Sequence, residues 1–132
     1  MKIKVSEAPG PVLDYMVAVA LGHNIVWDGI AYWISDLNTS KLIGSKWKVC
    51  GKPCGWSPST YGGDGMPIIE REITGVDLVS EWKGVKKWSA RKFEYLPNDQ
   101  TRCTEQYGPT PLIAAMRCLV TSRLGEEVEV PD

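Results

Sequence analysis

The strongest constraint on the fold is a helical pattern near the C-terminus, within the stretch Tyr107–Val130. Thr110 is placed to cap the first turn through its hydroxyl, and Pro111 suits the first helical position, where a missing N–H costs nothing. Gly125 ends the helix, because glycine readily adopts positive φ. We therefore predict a core helix, with apolar residues at helical spacing at Leu112, Ile113, Met116, Leu119, Val120 and Leu124.

The approach to this helix has the chemistry of an anion site. Tyr107 precedes a Gly108–Pro109 turn, and the unpaired N–H groups of a helix N-terminus carry partial positive charge. Together they favour an anionic group.

A second helix and several short strands are predicted before this point. Pro11–Leu21 places Leu13, Met16 and Val17 on one side at helical spacing, while Asp28–Gly29 separates two β-like runs and predicts a hairpin. Polar or Gly-rich composition predicts loops at 36–45, 51–65 and 96–106. The remaining strand candidates are Lys2–Val5, Trp47–Cys50, Met66–Ile73, Val76–Trp82 and Val85–Tyr95.

These elements predict one α+β domain over residues 1–132, in which a small antiparallel β-sheet packs against an N-terminal and a C-terminal α-helix. The strands are too closely spaced for the crossover connections of a parallel sheet. A chain of this length buries roughly two-thirds of its unfolded surface, so it needs no metal or disulfide to stabilise its core.

Composition gives no overall support to nucleic-acid or membrane partners, so nucleic-acid binding would need a local basic patch. The net charge of −1 provides no global attraction to nucleic acid or to acidic membranes. The longest apolar run, Tyr15–Leu21, is far shorter than the roughly 20 residues that span a bilayer, and MKIKVSEAPG is not followed by the apolar stretch of a secretory signal. We therefore expect no membrane partner and reduced cysteines in a cytosolic protein.

No catalytic or cofactor motif is present. His23 is the single histidine, no G-x-S-x-G occurs, and Gly62–Gly65 lacks the ending of a phosphate-binding loop. Cys50 and Cys54 are spaced C-x3-C, which fits structural zinc sites poorly. We therefore expect a protein that is not an enzyme, with no cofactor and no metal site.

A basic stretch rich in aromatic residues allows two interpretations. Exposed aromatics beside cations bind single-stranded nucleic acid, whereas ordinary strand alternation places cations in solvent and tryptophans in the core. Because alternation alone explains the pattern, the second interpretation is favoured. The stretch contains Trp82, Lys83, Lys86, Lys87, Trp88, Arg91, Lys92 and Phe93.

A ligand site is predicted from three segments of sequence. Trp56 and Tyr61 can stack on a flat ring, and hydroxyls nearby can bind sugar or phosphate oxygens. Arg71 can hold an anion in bidentate fashion. The alternative is structural, with Trp56 filling the core. The predicted ligand-binding residues are Trp56, Ser57, Ser59, Thr60, Tyr61, Arg71, Tyr107 and Thr110.

Three motifs carry a family resemblance. WSPST at 56–60, PIIERE at 67–72 and GPTPLIAAMRCLVTSRLGEEVEVP at 108–131, together with the opening MKIKVSEAPGPVLDYMVAVALGH, resemble the small NinX-like family of tailed-phage and prophage proteins. The stretch Asp77–Thr104 matches less clearly. The resemblance implies a phage origin and expression in the cytoplasm of the infected bacterial host, and it implies little chemistry.

The functional hypothesis is a non-enzymatic protein that captures a small nucleotide-derived ligand, by analogy with phage anti-defence proteins that sequester immune signals. A chain this short has limited room for a deep cleft, so the pocket is expected between subunits of a homo-oligomer. Two alternatives stay open: a nucleic-acid-binding accessory protein of the phage, and an inhibitor of a host protein.

Overall fold

The two predicted helices form, and the strands between them pair antiparallel. The computed structural model describes residues 1–8, 10–29, 32–35, 41–45, 48–49 and 55–131, with the backbone only at 41–45 and 48–49. In these ranges the helices are α1 (Gly10–Ala20), α2 (Gly62–Glu72) and α3 (Pro111–Leu124). The strands are β1 (Lys2–Lys4), β2 (Ile25–Trp27), β3 (Tyr32–Ile34), β4 (Lys41–Ser45), β5 (Lys48–Val49), β6 (Gly75–Trp82), β7 (Val85–Leu96), β8 (Gln100–Gly108) and β9 (Glu127–Glu129).

The strands of the described ranges form three sheets, with orders β1-β9, β2-β3-β4-β5 and β6-β7-β8. Every pairing in them is antiparallel, which confirms the predicted α+β class. The difference from the prediction is that the strands are divided among separate sheets. The first sheet joins the two ends of the chain, where the N-terminal ammonium also donates to the carbonyl of Val130.

The core lies where α3 packs against both the β6-β7-β8 sheet and α1. Small and apolar residues of α3 are buried among residues of α1, including Leu13, Met16 and Val17, all at 0% exposure. The sheet contributes Ala90 from β7, also fully buried. Within the described part of the chain, no helix is both long and apolar enough to cross a membrane.

The predicted strand Met66–Ile73 is wrong, because residues 66–72 belong to α2. The inward positions of this segment, Gly65, Ile68, Ile69 and Glu72, have helical spacing. Gly65 is required by packing: a Cβ there would lie 2.4 Å from the carbonyl oxygen of Pro58. Glycine is a poor helix former, so the close packing of Gly65 against Pro58 explains why a glycine lies inside this helix.

Two predicted loops contain strands. The polar connection at 96–106 includes most of β8, and the loop at 36–45 includes β4. β8 is an edge strand with one face in solvent, so it carries polar residues where a central strand would be apolar. The prediction for Trp47–Cys50 includes β5, whereas Cys50 and Cys54 lie outside the described residues.

A buried carboxylate on α1 accepts a hydrogen bond from the loop that precedes α2. Asp14, at 2% exposure, accepts a hydrogen bond from the backbone N–H of Ser59 at 2.9 Å. On the other side of this loop, Asp64 accepts from the N–H of Ser57, also at 2.9 Å. Because buried backbone donors are costly when unpaired, these two carboxylates determine how the loop packs.

The Glu72 carboxylate joins α2, β7 and α3. Glu72 at the end of α2 accepts from Arg123 of α3 at 2.8 Å and from Lys92 of β7 at 3.1 Å. Burial alone raises the pKa of Glu72, but the hydrogen bonds and charges of Lys92 and Arg123 outweigh it, and the net effect is a lowered pKa.

We expect Asp14→Ala to lower the free energy of unfolding by about 1.5–3 kcal/mol, because the buried Ser59 N–H loses a charged acceptor. Ser59→Ala is the matched control, since it retains that N–H and removes only a long contact, 3.4 Å, to the Gly10 carbonyl. Its loss is expected to be about 1 kcal/mol or less. Urea denaturation measures both, and equal losses would contradict the assigned role of Asp14.

We expect Glu72→Gln to destabilise the protein at neutral pH by about 1–3 kcal/mol, because Lys92 and Arg123 lose their charged partner. A lowered carboxyl pKa stabilises the fold above the ordinary pKa of glutamate, and that contribution disappears as the pH falls through the lowered value. The stability difference between the two proteins should therefore narrow below about pH 4. A difference independent of pH would contradict this assignment.

Candidate functional site

The WSPS segment faces the core. Trp56 is 7% exposed and its ring makes an edge-on contact with His23, with centroids 5.8 Å apart. Ser57 and Ser59 are 4% and 1% exposed, and their backbone N–H groups are used by Asp64 and Asp14. This placement contradicts the expectation that Trp56 offers a ring face to an open cavity, and the segment has the structural role given as its alternative.

Thr60, Tyr61 and Arg71 are exposed but lie at different ends of α2. Tyr61 precedes the first turn, and Arg71 belongs to the last. Ten residues of helix span about 15 Å, so these side chains do not converge on one small ligand. The Arg71 guanidinium lies 3.4 Å from the neighbouring Glu72 carboxylate.

Thr110 has the predicted capping role, because its hydroxyl oxygen accepts the N–H of Ile113 at 3.1 Å. Tyr107 lies at the end of β8 and is 39% exposed. Between them, Gly108 approaches α3 so closely that a Cβ would lie 2.8 Å from the Ala114 nitrogen. This approach places the end of β8 beside the first turns of α3.

A cleft of about 240 Å³ opens at this junction. Within the part of the chain that the structure describes, Tyr107 is the predicted ligand-binding residue that lines this cleft. Its walls come from the segment after β1, the hairpin between β6 and β7, the end of β8 and the second turn of α3. The lining residues are Ser6, Lys86, Lys87, Gln106, Tyr107, Gly108, Pro109 and Arg117.

The cleft is positively charged. Lys86, Lys87 and Arg117 contribute cations, and the described lining residues include no carboxylate. The Lys87 ammonium lies 4.4 Å from the centroid of the Tyr107 ring, within the range of a cation–π interaction. The Tyr107 hydroxyl donates to Glu105, and this hydrogen bond together with the Glu105 charge raises the pKa of Tyr107.

Arg117 has a fixed orientation. Its guanidinium donates to the carbonyls of Ala8 and Tyr107, with distances from 3.0 to 3.3 Å. Burial lowers the pKa of Arg117, but a guanidinium keeps its charge in proteins. Backbone carbonyls satisfy its hydrogen-bonding capacity only in part, and no residue that the structure describes forms an ion pair with it.

The arrangement suits binding rather than catalysis. Cations and one aromatic ring can hold an anion attached to a flat group, and the described lining residues include neither a paired acid and base nor an activated nucleophile. Across the described residues, no three His, Cys, Asp or Glu side chains converge as a metal site requires.

Sequence reasoning missed Lys86, Lys87 and Arg117 as members of one site. In the sequence, the lysines belong to a separate basic stretch, and Arg117 follows Lys87 by thirty residues. The sequence feature that indicates an anion site here is the turn at Tyr107, but it does not indicate that Lys86, Lys87 and Arg117 lie beside it.

Comparison with known proteins places the chain in a family. The family model described as bacteriophage P22, NinX matches residues 4–123. No curated protein matches the sequence significantly. The match covers the N-terminal helix, the WSPST loop, the stretch where the resemblance is weakest and most of the C-terminal helix, and this chain therefore belongs to the NinX family of phage proteins.

Proposed function

We propose that this phage protein is a non-enzymatic binding protein that captures a small nucleotide-derived ligand in the cytoplasm of the infected host. Captured ligands of this kind include the nucleotide signals of bacterial immunity, so the biological role would be anti-defence. The family supports the phage context, and the cleft at Tyr107 supports the chemistry.

The observation that carries the proposal is the charge of that cleft. It brings together Lys86, Lys87 and Arg117 beside an aromatic ring, without a carboxylate among its described lining residues. Phosphate groups satisfy such a cluster through charge-assisted hydrogen bonds. Tyr107 then supplies the surface on which a base or another flat ring packs. The proposed ligand site therefore lies at the start of α3 and not at the WSPST loop that the sequence predicts.

The size of the cleft supports capture between subunits. Its volume of about 240 Å³ lies below the roughly 300–1,000 Å³ of typical small-molecule sites. One protomer therefore covers the phosphate end of a nucleotide and leaves the rest in solvent. A second copy placed over the cleft would exclude water and enclose the ligand, which favours a homo-oligomer.

The test is calorimetric titration of the purified protein with a panel of cyclic dinucleotides and ADP-ribose-derived signals, with nucleosides as the uncharged comparison. We expect heat from phosphate-bearing ligands alone. Lys86→Met with Lys87→Met should weaken binding by roughly tenfold or more, because a hydrogen bond to a charged group contributes about 1.5–3 kcal/mol.

Lys83→Met is the matched control. It removes a lysine from the same hairpin, but this residue does not line the described cleft, so affinity should change less than about threefold. Absence of heat across the panel would contradict the proposal. So would an equal loss of affinity in the control and in the double variant.

We expect the protein to be a homo-oligomer whose mass distribution responds to ligand. Light scattering after size-exclusion chromatography measures the mass with and without the tightest ligand of the panel. Binding that encloses a ligand between subunits should shift the population toward the larger species by mass action. A monomer under both conditions would contradict capture between subunits, but not binding at the cleft.

A further inference from the structure

The sheet β6-β7-β8 has one face covered by α3 and one face open. Residues of β7 alternate between them: Trp88, Ala90 and Lys92 are turned toward the helical side, where Ala90 is fully buried. We call the opposite side the open face. The residues assigned to it by alternation and register are Asp77, Trp82, Val85, Lys87, Ser89, Arg91, Phe93, Tyr95, Thr101, Cys103, Glu105 and Tyr107.

The open face carries large side chains in solvent. Trp82 is 74% exposed, Phe93 53% and Tyr95 91%. The expectation that the tryptophans of this stretch point into the core is therefore wrong for Trp82, although Trp88 does pack against the core. An exposed aromatic ring has a free face on which another ring can stack.

The end of the face near Trp82 is positively charged. The hairpin contains cations and no acid between Trp82 and Phe93, and the acids of the open face, Asp77 and Glu105, lie beside Arg91 on the neighbouring strands. Arg91 pairs with Asp77, and Lys92 pairs with Glu72 on the other side of the sheet. Lys83, Lys86 and Lys87 form no ion pair with any residue that the structure describes, and the Lys83 ammonium lies 5.8 Å from the Trp82 ring centroid.

We propose that the open face binds single-stranded nucleic acid, with bases stacked on Trp82 and Phe93 and phosphates held by Lys83 in the turn and Lys87 on the face. Charge complementarity favours this occupant over a protein. Protein interfaces have contiguous apolar centres depleted of lysine, whereas here Trp82 and Phe93 are separated by charged and polar positions. Aromatic rings beside a basic track are typical of sites for single strands.

The dimensions fit a short strand. Trp82 lies opposite Val85, and the eight residue-to-residue steps from Val85 to Phe93 span about 27 Å at about 3.4 Å per step. A stacked strand with about 3.4 Å per nucleotide would cover this distance with about eight nucleotides. Because stacking tolerates any base, we expect little sequence preference.

The test is fluorescence anisotropy of a labelled oligothymidine of about 12 nucleotides, at about 50 mM salt and then at increasing salt. We expect saturable binding, with a slope of log affinity against log salt of about −1.4 if Lys83 and Lys87 contact phosphates. A duplex of the same length should compete poorly, because its bases cannot stack on the protein.

Trp82→Ala and Phe93→Ala should each weaken binding by roughly tenfold, and Trp82→Phe should retain most of the affinity. Tyr61→Ala is the matched control, because Tyr61 is 49% exposed but lies outside the open face. The circular dichroism spectrum of each variant should match that of the unmodified protein, since the substituted side chains lie in solvent.

The proposal shares Lys87 with nucleotide capture, but variants of the aromatic residues distinguish the failure of one from the failure of the other. Trp82 and Phe93 do not line the described cleft, so their substitution should leave the calorimetric heats unchanged. No binding at low salt would overturn the proposal, as would equal affinity for the duplex. If Trp82→Ala changes the mass of the protein without affecting oligonucleotide binding, the open face is an interface between copies of the chain instead.

Discussion

The position of α3 between a sheet and another helix is the constraint on which the rest of the fold depends. Such a helix has to bury side chains on two opposite sides, and small residues such as Ala114 and Ala115 let both neighbours approach closely. Cys118 belongs to this packing: burial raises its pKa to about 12, so the thiol is neutral and structural. Arg117 and Arg123 extend from the same helix and join it to α1, β8 and α2.

The WSPST segment carries much of the family resemblance, and its placement assigns it a structural role. Its tryptophan fills the core, and carboxylates on α1 and α2 accept its backbone N–H groups. Serine, proline and threonine suit this task because the chain turns twice within a few residues while keeping its buried donors paired. The sequence of a polar, glycine-flanked loop with an aromatic residue is therefore compatible with either a ligand site or a segment that packs against the core. Burial distinguishes the two.

A net charge of −1 conceals a strong separation of charge. The β6-β7 hairpin is basic, whereas the C-terminal segment carries Glu126, Glu127 and Glu129. The cleft and the open face meet at Lys87 and Tyr107, so one positively charged corner of the sheet serves both proposals. Local charge, rather than the total, determines which anions a surface of this size attracts, since salt screens charges beyond about 10 Å.

By itself, the sequence determined the helices α1 and α3, the Thr110 cap and the hairpin at Asp28–Gly29, because periodicity, capping and turn chemistry act between residues a few positions apart. It did not determine α2 or β8, since Ile68–Glu72 fits two periods and an exposed edge strand is polar like a loop. Only the tertiary structure decided that Trp56 is buried and Trp82 exposed, and that Arg117 lines the same cleft as Lys86 and Lys87. These outcomes depend on contacts between residues far apart in the chain, and local sequence patterns do not indicate such contacts.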